Sequence, residues 1–143
     1  MNENDEGRVG ILMCAGCAFV CLLLFVSIAL TEVAMQDRRL VSCADALASA
    51  GVSGASSSTV FAGGKLGIDE ETASSRVDRA LSGLSESTCR VGDGVSVSWV
   101  SVSGRDVEVG VRAHPRVSLL PPPLRGVMVP ELSRTSSARL RGV

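Results

Sequence analysis

An α+β protein hung on a single N-terminal transmembrane helix is predicted by three features. These are an uncharged apolar run from Gly10 to Leu30, a helical apolar stripe continuing past it, and two Val-rich alternating segments between Val95 and Ala113. As a helix rising about 1.5 Å per residue, the run GILMCAGCAFVCLLLFVSIAL extends about 31 Å, enough for a hydrocarbon core of about 30 Å. Charge sets its limits, with MNENDEGR before it and TEVAMQDRR after it. The expected organisation is a short cytoplasmic head (1–9), the span (10–30), an extramembrane continuation of the helix (31–50), a Gly/Ser linker (51–67) and a small exported module (68–143).

The apolar run is longer than the roughly 7–15 residues of a signal-peptide core, and its head carries Glu3, Asp5 and Glu6 against Arg8, so a retained anchor is expected rather than a cleaved signal. A lipoprotein site at Cys17 fits poorly, because Ala15-Gly16-Cys17 opens the apolar run instead of closing it. Lys and Arg near the two ends barely orient the helix: Arg8 lies on one side, Arg38 and Arg39 on the other. The tail's secreted-type composition and its well-separated cysteines favour an exported C-terminal part. Within the span, Cys14, Cys17 and Cys21 share one helix face and form, with Gly10, a band of small residues suited to close helix packing. Three thiols with no fourth ligand make no zinc site.

Past the membrane, Val33, Leu40, Val41, Ala44, Leu47 and Ala48 recur at spacings of three and four, with neither Gly nor Pro before Gly51. The helix should therefore run on as a projecting rod. The segment QDRRLVSCADALASAG, with DEGRVGILM before the span, resembles the N-terminal region of TadE/TadG-like pilus-assembly proteins, the small actinobacterial members most closely. Arg38, Leu40, Cys43, Ala44, Asp45, Leu47 and Ala48 carry the second part of that likeness. The resemblance implies an N-terminus in the cytoplasm and a C-terminal part outside. It also implies a role as minor pilin or pseudopilin in a tight-adherence (Flp) pilus or type II-like secretion assembly, with other subunits and the lipid bilayer as partners. Pilin-like members cut by a prepilin peptidase carry Gly at the cut and Glu five residues on, which points to Gly7 or Gly10 as processing sites. Here the fifth residues are Leu12 and Ala15. Neither is acidic, which fits an uncut anchor better than a fibre-forming subunit.

In the module, Asp69 is an N-cap candidate before Glu70 and Glu71, and Ala73, Val77, Ala80, Leu81 and Leu84 mark the apolar face of a second, short helix. The acids Glu70, Glu71 and Asp78 read as its solvated face. Val95, Val97 and Trp99 alternate with Ser, and Val107, Val109, Val111 and Ala113 form a matching strand beyond Ser103-Gly104-Arg105-Asp106. After Trp99 the phase shifts to Val100 and Val102, as a bulge would produce. The face with Val97, Trp99, Val109 and Val111 is expected to pack on a helix. The sheet is expected to be this β-hairpin alone or a three-stranded antiparallel sheet with an edge strand from VMVPELSRTSSARLRGV, and the late basic residues Arg125, Arg134, Arg139 and Arg141, against Glu131, read as a solvated end.

Cys43 and Cys89 are candidates for a disulfide in an oxidising exterior and remain thiols in a cytoplasmic tail. With one Trp, no Tyr and a net charge of −1, no basic stripe with interleaved aromatics exists, so nucleic acid is not an expected partner. His114 has no triad partners nearby in sequence, and Gly63-Gly64-Lys65 and Gly92-Asp93-Gly94 lack phosphate-loop spacing. No catalysis, cofactor, metal or small-molecule substrate is expected. Two roles remain, a structural assembly component and a membrane-tethered binding module.

Overall fold

The computed structural model describes residues 3–53, 68–118 and 129–140. Its first element, α1, is one unbroken helix from Glu3 to Ser53. At about 1.5 Å per residue it is about 75 Å long. The helix begins within the expected head and runs through the start of the expected linker. Gly51 is buried against the fold: a Cβ there would lie 3.0 Å from Val107 Cγ1 and 3.4 Å from Val77 Cγ2. The rest of the expected linker, 54–67, lies outside the described residues.

Helix α2 covers Glu70–Leu84, and Asp69 caps it as its composition predicts. The Asp69 carboxylate accepts from Thr72 N at 3.3 Å and from the Thr72 hydroxyl at 3.2 Å, satisfying an otherwise unpaired first-turn N–H. Its Ala73 and Val77 are buried, with Ala80, Leu81 and Leu84 packed alongside.

Three antiparallel strands form a meander in the order β1 (Val95–Ser103), β2 (Asp106–Ala113), β3 (Leu132–Arg139). The β1–β2 connection is a two-residue loop in which Gly104 takes φ +64°, the left-handed backbone required at the first position of a type II′ turn. Register shifts between Val97 and Trp99, as the phase change predicts. Val97 pairs with Val111, Trp99 with Gly110, Val100 with Val109 and Val102 with Val107.

That bulge corrects the expected packing face. The extra residue turns Trp99 outward, 42% exposed on the solvent side of the sheet, while Val100 and Val102 join Val97 against the helices. Gly110 leaves the space that the indole fills, since a Cβ there would stand 2.6 Å from Trp99 Cε2.

The sheet's inner face lies on the distal half of α1, and α2 packs against α1 and β1. Leu40, Cys43, Ala44, Leu47, Ala48 and Val52 of α1 meet Val107, Val109, Val111 and Ala113 of β2, with Val77, Cys89 and Val91 closing the core. The expected projecting rod is therefore the centre of the module rather than its stalk. Burying each of the larger aliphatic side chains contributes about 1.5–3 kcal/mol, so Leu40, Leu47 and Val52 make α1 a principal contributor to the module's cohesion. The part of α1 nearer the N-terminus is long and apolar enough to cross a membrane, with mean hydropathy 2.8, and none of it is buried within the fold.

Candidate functional site

Two surfaces stand out: the bare half of α1 and the rim where the module meets it. On the first, Gly10, Cys14, Cys17 and Cys21 are all exposed, and among the described residues nothing outside the adjoining helix backbone comes within 4 Å of a Cβ placed on Gly7, Gly10 or Gly16. Among the described residues the small-residue face is thus uncovered along its length. Ser27 and Thr31 return their hydroxyls to the carbonyls four residues back, Leu23 and Ser27, both at 2.8 Å, so neither leaves an unsatisfied donor on the apolar surface of the helix.

At the rim, the chain leaving β2 is tied to α1 just past the apolar run. Arg116 N donates to Gln36 Oε1 at 2.8 Å, and Gln36 Nε2 donates to the Arg116 carbonyl at 2.6 Å. Four residues earlier on the same helix face, Glu32 Oε2 accepts from Ser118 N at 3.0 Å. Pro115 and Val117 are buried, and Arg116 turns its guanidinium to Asp93, with Nε 3.0 Å from Oδ1. Gly92, at φ +53°, lets the 91–94 turn lie against His114 and Pro115. This clamp was not apparent from side-chain periodicity. Its partners are backbone groups some eighty residues downstream of Gln36, and backbone groups leave no pattern in a sequence.

Polar residues on the inner face of β3 also reach α1. Arg134 Nη2 lies 2.8 Å from Asp37 Oδ2, and the Ser136 hydroxyl meets Asp45 Oδ1. The hydrogen bond to Asp37, reinforced by its charge, raises the Arg134 pKa above the ordinary guanidinium value. At the opposite end of the sheet Arg139 Nε donates to Asp106 Oδ1 at 2.7 Å, and this bond holds the Asp106 carboxyl below its usual range while raising Arg139. Arg134 and Arg139 are therefore engaged in pairs, not a free basic end. Arg125 and Arg141 lie outside the described residues.

Cys43 and Cys89 are joined by a disulfide, with Cα atoms 4.9 Å apart. It ties α1 to the turn after α2, between the rim and the distal core. His114 is exposed, 3.9 Å from Glu131, and Glu70, Glu71 and Asp78 face solvent. Among the described residues no group of His, Cys, Asp and Glu is arranged to hold a metal ion. Comparison with protein-family models, with curated proteins and with solved structures gives no match.

Proposed function

We propose that this chain is a membrane-anchored, pseudopilin-like or minor-pilin component of a tight-adherence (Flp) pilus or type II-like secretion assembly, a structural rather than catalytic protein. The observation that carries the reading is the continuity of α1. One helix from Glu3 to Ser53 supplies both the candidate span and the central element of the folded module. Force or position imposed on the membrane half is delivered to the module without a flexible joint, as an assembly subunit requires and a tether does not. The open face of Gly10, Cys14, Cys17 and Cys21 suits packing with the helices of other subunits. The Cys43–Cys89 bridge favours an exported module, with the N-terminus in the cytoplasm.

A second reading, a tethered extracytoplasmic binding module, draws on Trp99. A half-exposed indole seated over Gly110 on a sheet face otherwise lined by Ser, Thr and charged residues is a suitable contact point for a ligand or envelope partner.

Thiol-directed crosslinking in native membranes separates the two. In an assembly, Cys14, Cys17 or Cys21 crosslinks to a neighbouring helix, and substitution of all three by Ser abolishes the products. A tether gives monomer only. Intact mass from the same membranes, reading loss of the residues through Gly7 or Gly10 against a full-length chain, reports processing by a prepilin peptidase.

A further inference from the structure

Between α1 and the rim turns lies a cleft of about 380 Å³ lined by Glu32, Met35, Gln36, Arg39, Arg90 and Arg116, with Gly92 and Ser118 completing it. Three arginines line it. Arg116 is engaged by Asp93, whereas among the described residues neither Arg39 nor Arg90 has a carboxylate within ion-pair distance, and both are exposed. Glu32 lies on the membrane side of the cleft and is committed to Ser118 N; Asp37, one turn along α1, is committed to Arg134.

The height of this cleft identifies its occupant. Counting from Leu30 at about 1.5 Å per residue, Glu32 stands about 3 Å and Arg39 about 13 Å beyond the apolar run. A headgroup layer occupies about 5–7 Å on each side of the hydrocarbon core. Cβ atoms of a helix tilt toward its N-terminus, so Arg39 leans back toward the membrane by several ångströms. Guanidinium groups match phosphate oxygens in a bidentate geometry.

We propose that Arg39 and Arg90 bind the phosphate of an anionic phospholipid in the leaflet from which α1 emerges. The lipid completes the charge balance of the cleft and holds the module's rim against the membrane surface. This rests on α1 crossing the bilayer and is independent of any pilus role.

The test is native mass spectrometry of the full chain released from micelles holding equimolar phosphatidylglycerol and phosphatidylcholine. Phosphatidylglycerol should be retained preferentially, and Arg39→Gln with Arg90→Gln should reduce retention by about fivefold for each arginine. Arg79→Gln with Arg105→Gln, which removes equal charge far from the rim, should leave it unchanged. Equal retention of both lipids, or an equal fall in the distal variant, overturns the proposal. So does complete displacement by inorganic phosphate, which would make this a soluble-anion site. A second measurement needs no variant: in nanodiscs, backbone exchange at 90–94 and 114–118 should slow when phosphatidylglycerol replaces phosphatidylcholine, and an unchanged rate overturns the site. Failure of the chain to insert into nanodiscs overturns the membrane reading along with it.

Discussion

Trp99 sits directly across the β1–β2 pair from Gly110, and the indole occupies the volume where any other residue at 110 would carry its Cβ. Gly110→Val should therefore lift the ring off the sheet. The expected outcome is a red-shifted emission from the chain's one Trp and a loss of about 1–3 kcal/mol in denaturant stability, the usual cost of overpacking. Unchanged emission would mean that the ring has no fixed seat there.

That same pair marks where the sequence stopped being legible. Alternation located both strands, their turn and the bulge, because a period of two is dictated by the pleat and a phase change by an inserted residue. Which side of the bulge faces the core depends on what the sheet packs against, and that is settled by α1. Hydrophobicity favoured burying Trp99; the shifted register packs Val100 and Val102 against the core instead. In α1 the spacing of Leu40, Cys43, Ala44, Leu47 and Ala48 exposed the helix and its apolar stripe, yet it could not reveal that three sheet strands and α2 would close around that stripe. At the rim, nothing in the sequence marked Glu32 and Gln36, since their partners are the N–H and C=O groups of 116–118.

Two glycines should respond oppositely to alanine. At Gly92, φ is +53° and a Cβ would be driven into the His114 carbonyl, with Pro115 Cα 3.1 Å away. Gly92→Ala should cost upwards of about 1–3 kcal/mol, strain and clash acting together, and should speed backbone exchange at 91–94 and 114–116. Gly83 lies within α2 with nothing within 4 Å of a Cβ. Gly83→Ala should stabilise by about 0.5–1 kcal/mol, because alanine loses less backbone freedom on entering a helix. Denaturation midpoints of the two variants in the same detergent decide both.

The Asp106–Arg139 pair gives the distal end a pH dependence with a defined sign. Its hydrogen bond lowers the Asp106 pKa in the folded chain, so the unfolded chain takes up the proton first as pH falls. The pair's contribution is present above the ordinary carboxylate value of about 3.9 and disappears as pH drops through the lowered folded value. Asp106→Asn should be less stable than the parent near neutral pH, with the difference closing in strong acid. Arg139 is exposed and Asp106 half-buried, so solvent reaches the pair and about 1 M salt should also shrink the gap. A difference that persists unchanged into acid would assign the effect to side-chain shape instead of charge.

The Cys43–Cys89 bridge joins positions 46 residues apart, one buried on α1 and the other in the turn that follows α2. Closing a loop of that length in the unfolded chain removes entropy worth about 4 kcal/mol in the chain-entropy treatment. The loop begins on the long helix α1, so its loss does more than lower a midpoint: α2 and the 89–91 turn are released from α1 while the β-meander keeps its own contacts with α1 through Val107, Val109, Arg134 and Ser136. Cys43→Ala with Cys89→Ala should therefore unfold at lower denaturant, and backbone exchange should accelerate more in 70–91 than in 106–113. Reductant should bring the parent chain to the same midpoint and leave the variant unmoved. A midpoint insensitive to both treatments would mean that the small Val, Leu and Ala core holds α2 on α1 unaided. It would also remove the disulfide as support for an exported module.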